Sequence, residues 1–99
     1  MKKIAVIVPA YNEELLIEKT INSVPQIVEK IIVINDCSKD NTKKIVDSLM
    51  IVNKKIELIN FEKNSGVGAA LIAGYEYCHK NEYDIAVVMP GDAQALPID

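Results

Sequence analysis

The chain has 99 residues, 49% hydrophobic and 25% charged, with a formal net charge of −3. That is room for one domain with one core, and the composition is that of a folded chain, not a disordered one. No run of lysines exceeds two, so a nucleic-acid partner or an anionic membrane surface is not expected. A phosphate ligand stays open, because backbone N–H groups and metal ions can hold one without surplus lysine.

The opening Met1-Lys2-Lys3 precedes an apolar run that ends at Val8, too short for a signal peptide. No stretch approaches the ~20 apolar residues of a membrane span. Cys37 and Cys78 lack metal-ligand spacing, so reduced thiols and a cytoplasmic location are expected.

Ile4 to Val8 reads as a strand buried on both faces, and Pro9, which has no N–H, is expected to stop its ladder. Leu16, Ile17, Thr20, Ile21 and Val24 mark one face of a helix that Glu13 and Glu14 begin and Pro25 ends. Ile31 to Ile34 is the second strand. Ile45, Val46, Leu49 and Met50 mark a second helix, capped by Asp40 or Asn41. Ile56 to Ile59 is the third strand, and Val67, Ala70, Leu71, Gly74, Tyr75 and Cys78 stripe a third helix. Ile85 to Met89 is the fourth strand.

Strands alternating with helices predict an α/β fold, a parallel sheet with crossover helices. Right-handed crossovers bring all strand C-termini to one edge, where open sheets bind ligands. That edge carries Pro9 to Glu13, Asn35 to Asp40, Phe61 to Ser65 and Pro90 to Gln94. The carboxamides, carboxylates and hydroxyls of Asn35 to Thr42 could read a base or a ribose by hydrogen bonds. Asp92, behind Gly91, could ligate Mg²⁺ or Mn²⁺ shared with a diphosphate. The chain then runs through Pro90, Gly91 and Pro97 to Asp99, which reads as a loop leading onward and hence as a truncated half.

Two other nucleotide-edge folds fit poorly. Gly66-Val67-Gly68 hints at a dinucleotide-binding turn, but Leu71 occupies the third glycine position and the turn follows the third strand. A phosphoacceptor receiver domain needs an acidic pair where this chain has Pro9-Ala10.

Four segments together are specific. Pro9-Ala10-Tyr11-Asn12-Glu13, Ile34 through Thr42, Lys63 through Ala70, and Pro90-Gly91-Asp92-Ala93-Gln94 resemble, in order, the motifs of family 2 glycosyltransferases. The last stands where that family has Asp-x-Asp, and its form is closest to polyprenyl-phosphate mannosyl- or glucosyltransferases. The resemblance implies the Rossmann-like nucleotide-binding half of a GT-A fold over residues 1–99, acting on a UDP- or GDP-sugar with inversion. It further implies that Pro9, Ala10, Tyr11, Glu13, Asn35, Asp36, Lys63, Gly66 and Gly68 surround the nucleotide. Asp92 and Gln94 would meet the diphosphate and sugar, with Asp92 on the metal. A lipid phosphate such as a polyprenyl phosphate, or a saccharide, is the expected acceptor, and the cytoplasmic membrane face the expected location of a full-length parent.

Three departures from the family pattern bear on this. Asn35 replaces an aspartate, Cys37 replaces a glycine and would be strained in a left-handed backbone, and Pro90 replaces the first aspartate of Asp-x-Asp. No general base is evident, and His79, the one histidine, is expected to face solvent. The isolated chain is therefore expected to bind nucleotide weakly and not to turn over. Its alternative is a non-catalytic nucleotide-binding or self-associating module, with apolar surface left open to a second copy.

Overall fold

The computed structural model describes residues 2–91. Seven elements follow one another: β1 (Ile4–Ala10), α1 (Ile17–Asn22), β2 (Lys30–Asn35), α2 (Thr42–Val52), β3 (Ile56–Asn60), α3 (Val67–Lys80) and β4 (Ile85–Val88). The strands form one parallel sheet in the order β3-β2-β1-β4, with Val6 opposite both Ile31 and Val87.

Period-2 alternation sorts the core into two layers. Val6, Val8, Ile31 and Val33 face Ile17 and Ile21 of α1 and Val46 of α2. Ala5, Ile7, Ile32 and Ile34 face Ala70 and Cys78 of α3. The two central strands are thus covered on both sides, as their unbroken apolar runs require. Ile85 and Val87 on edge strand β4 stay 40% and 45% exposed.

Pro9 does not end the strand. It lies opposite Ile34 inside β1, which is tolerated because its carbonyl accepts the Gly91 N–H at 3.1 Å. In a parallel strand the N–H points to the same neighbour as the carbonyl, and β4 has already ended there at Val88.

Helix α1 is shorter than its apolar stripe. Glu13 and Glu14 lie in the preceding loop, while Ser23 closes the helix with its N–H on the Lys19 and Thr20 carbonyls and its hydroxyl on Thr20. At α2, Asn41 occupies the cap position without a side-chain bond. The capping oxygen comes from Asp40, which accepts the Thr42 N–H at 2.9 Å.

Helix α3 ends in a two-bond reverse turn, with Tyr83 N–H on the Cys78 carbonyl and Glu82 N–H on His79. The rings of Tyr77 and Tyr83 stack across it, 6.5 Å between centroids. Glu82 occupies the left-handed position with φ of 61°, where glycine is usual. Glu82→Gly should therefore raise stability by about 0.5–1 kcal/mol, the left-handed penalty less the added freedom of the unfolded chain. A thermal melt checks this, and a lower midpoint contradicts it.

Candidate functional site

The strand order places a crevice where β2 and β4 diverge on either side of β1, the position at which open α/β sheets take their ligands. A cavity of about 200 Å³ lies there, lined by Pro9, Ala10, Tyr11, Glu13, Asp36, Val67, Ala70, Pro90 and Gly91. Five sequence-predicted site residues meet in it: Pro9, Ala10, Tyr11, Glu13 and Asp36. Val67 and Ala70, which belong both to the apolar stripe of the third helix and to the third motif, form its helical wall.

Asp36 is the polar centre of this arrangement. It follows β2 directly and is only 5% exposed. Its Oδ1 accepts the Ser65 N–H at 2.7 Å and its Oδ2 the Gly66 N–H at 2.9 Å. Gly66 stands at the cap of α3 with φ of 92°, a backbone that a side chain resists. The carboxylate therefore fixes where α3 begins, and with it the Val67–Ala70 wall.

The loop after β1 is fastened to the loop after β2. Asn12 N–H donates to Ser38 Oγ and Asn12 Oδ1 accepts the Lys39 N–H. Glu13 N–H donates to the Thr42 hydroxyl, Glu14 N–H to Asp40, and Asn41 N–H to the Glu14 carboxylate. Ser38, Asp40 and Thr42, read from the sequence as groups for a base or ribose, hold the loop that carries Tyr11 and Glu13. Thr20, buried within α1, donates its hydroxyl to the Gly91 carbonyl at 3.0 Å and fixes the far side of the cavity.

Burial works to raise the Asp40 carboxyl. Hydrogen bonds from the Thr42 hydroxyl and from the N–H groups of Thr42, Glu14 and Asp40 itself outweigh it and hold the pKa below the usual value. With a depressed folded pKa, the stabilisation is present above the ordinary carboxylate range and is lost as pH falls through the folded value. Asp40→Asn should therefore lower stability at neutral pH and flatten its decline below about pH 4. Urea midpoints across an acid series test this, and an unchanged acid slope contradicts it.

The remaining predicted residues sit outside the cavity lining. Asn35 is buried, donating to Asn60 Oδ1 at 2.9 Å and accepting the Ser38 N–H. Its carboxamide thus both donates and accepts, which a carboxylate could not. Lys63 is exposed and borders a separate hollow with Asn60, Phe61, Glu62 and Ser65. Gly68, in the first turn of α3, has open space where a Cβ would be. Cys37 takes the expected left-handed backbone, φ 61°, at a cost of about 1–2 kcal/mol. Asp92 and Gln94 lie outside the described residues.

His79 is exposed, as expected, near the end of α3. Among the described residues no three His, Cys, Asp or Glu side chains gather to hold a metal ion. No helix among them is long and apolar enough to cross a membrane.

The profile of the family described as Glycosyl transferase family 2 matches residues 5–98. A UDP-N-acetylglucosamine–dolichyl-phosphate N-acetylglucosaminyltransferase of Methanococcus voltae is 37% identical over 111 residues, covering 99% of this chain and 44% of that protein. A dolichyl-phosphate beta-glucosyltransferase of Trichomonas vaginalis is 40% identical over 104 residues, covering 94% and 30%. The chain spans less than half the length of either relative. Among solved structures, S. aureus TarS in complex with UDP superposes with a TM-score of 0.75 at 28% identity, covering 91% of this chain and 27% of that one. A mannosyltransferase from Pyrobaculum calidifontis shares the fold at 22% identity with a TM-score of 0.74, covering 91% and 27%.

Proposed function

Because this chain belongs to glycosyl transferase family 2, we propose that its strand-end cavity holds the nucleotide of a UDP- or GDP-sugar whose sugar passes, with inversion, to a lipid phosphate. The observation that carries this reading is the meeting of Tyr11, Glu13 and Asp36 in one cavity at the switch point of the sheet. Two relatives named as dolichyl-phosphate glycosyltransferases support a lipid-phosphate acceptor. The UDP complex of a protein with this fold supports the nucleotide.

The described residues bind and orient. The Tyr11 ring, 40% exposed, offers a face for a base or ribose, and Pro9, Ala10, Val67 and Ala70 give the cavity apolar walls. Asp36 offers a fixed acceptor. The fastened β1 and β2 loops keep these groups in place before a ligand arrives, which reduces the ordering cost of binding.

A divalent ion, Mg²⁺ or Mn²⁺, would neutralise charge on a departing diphosphate. The described residues gather no ligand set for it. In this proposal Asp92 and the diphosphate oxygens hold it. An acceptor phosphate oxygen is already ionised, so the reaction asks less of a general base.

Calorimetric titration with UDP and GDP, each with and without Mn²⁺, tests the reading. Binding of at least one nucleotide, strengthened by the metal and losing that gain in Asp92→Ala, is expected. Failure of both nucleotides to bind would contradict it. A second reading, self-association, draws on the exposed Ile85 and Val87 of the open β4 edge. Sedimentation that stays monomeric with rising concentration would dismiss it.

A further inference from the structure

Thr20 sits where the packing asks for a hydrocarbon. It lies on the buried face of α1 with Ile17 and Ile21, and like Ile17 it is 0% exposed. A buried hydroxyl costs desolvation unless it is bonded, and its usual partner within a helix is the carbonyl one turn back. Thr20 reaches out of its helix instead and donates to the Gly91 carbonyl at 3.0 Å. A valine would fill much the same volume with no polar group to satisfy. What the hydroxyl adds is its hold on Gly91.

Gly91 is buried and held on three sides. Its carbonyl accepts the Thr20 hydroxyl, and its N–H donates to the Pro9 carbonyl at 3.1 Å. A Cβ on it would stand 3.1 Å from that same Pro9 oxygen and 3.3 Å from Glu13 Cγ. Pro90 and Gly91 line the cavity together with Tyr11 and Glu13. Helix α1 is tied to both segments. The Ile17 N–H donates to the Glu13 carbonyl at 2.8 Å, and about one turn further on Thr20 holds Gly91.

We propose that Thr20 is a positioning residue of the nucleotide site, with α1 as a brace that holds the Pro90–Gly91 wall at a fixed spacing from the Tyr11–Glu13 wall. The inference rests on the nucleotide reading above. Thr20 lies outside the cavity lining and acts through Gly91. Without the hydroxyl, the Gly91 carbonyl loses this donor in a buried position, which favours a displaced loop that brings it to water. A wall free to move must be ordered when the nucleotide binds, and that cost is read as lost affinity.

The test is a calorimetric titration of Thr20→Val and Thr20→Ser with UDP and with GDP, beside the unsubstituted chain. It is read well below the unfolding transition, where a loss of stability alone leaves affinity unmoved. For whichever nucleotide the unsubstituted chain binds, Thr20→Val is expected to weaken binding about tenfold. Thr20→Ser, which keeps the hydroxyl, is expected to stay within about twofold. Thr20→Ala removes the hydroxyl without new bulk and replaces Thr20→Val if that variant lacks the circular dichroism of the folded chain. A folded hydroxyl-free variant that binds like the unsubstituted chain would overturn the inference while leaving the nucleotide reading in place. Thr20→Ser binding as weakly as the hydroxyl-free variant would also overturn it, since the hydroxyl would then not be what holds the wall. If the unsubstituted chain binds neither nucleotide, the broader reading falls and this one with it.

Discussion

Asp36→Ala is expected to lower stability by about 2–4 kcal/mol and to abolish nucleotide binding. The magnitude follows from the two peptide donors it serves. Ser65 N–H and Gly66 N–H both lose a charged acceptor in a region where Asp36 itself is 5% exposed. A donor left without its acceptor costs up to about 1–3 kcal/mol, less at Ser65, which is exposed to water. A domain of this size has only about 5–15 kcal/mol in hand, so the loss is a large fraction of the whole. Asp36→Asn should recover only part, because a carboxamide accepts with one oxygen and turns its N–H groups toward the other donor. Urea unfolding at constant slope reads the effect, and a loss below about 0.5 kcal/mol would show that the clamp does not anchor α3.

Gly74→Ala is expected to be destabilising, costing about 1–2 kcal/mol. In an exposed helix the same change would gain roughly 1 kcal/mol from propensity. Here a Cβ would meet Ile7 Cγ2 at 2.5 Å and Cδ1 at 3.0 Å, and Ile7 is fully buried in the middle of β1. Helix α3 sits this close to the sheet because position 74 carries no side chain. Overpacking of this kind costs about 1–3 kcal/mol as neighbours leave their rotamers. The attribution to Ile7 has its own check. In an Ile7→Ala background the clash is gone, so Gly74→Ala should become neutral or stabilising there, a coupling above 1 kcal/mol. Additive effects would place the strain elsewhere.

Much of the framework was legible from residues 4–88 because a parallel sheet buried on both faces needs unbroken apolar runs, and helix stripes separate those runs cleanly. The misreadings come from groups whose partners are distant in sequence. Pro9 looked like a strand terminator, but its tolerance depends on which neighbour its carbonyl faces and on β4 ending at Val88. Ser38, Asp40 and Thr42 looked like ligand groups because polar side chains after a strand usually are, although Asp40 was also read as a helix cap, which it is. Their partners prove to be Asn12, Glu13 and Glu14 one loop away. Thr20 carried a signal that could have been read, a hydroxyl in an otherwise apolar stripe of α1. Its acceptor, the Gly91 carbonyl, lies 71 residues on and could not have been found from spacing. At Cys37 the hint came from the resemblance, a cysteine where the family has glycine, and the backbone there is left-handed at φ 61°.

The central claim is that nucleotide binds at the β1 switch point, against Asp36 and the start of α3. The most direct test is the amide spectrum of the ¹⁵N-labelled chain titrated with UDP. The account predicts the largest shifts at Ala10, Tyr11, Ser65, Gly66 and Val67, with little change at Asn53 and Lys55 beside the hollow at the opposite end of the sheet. Shifts concentrated at Asn53 and Lys55, or none at Ser65 and Gly66 at saturating UDP, would contradict it.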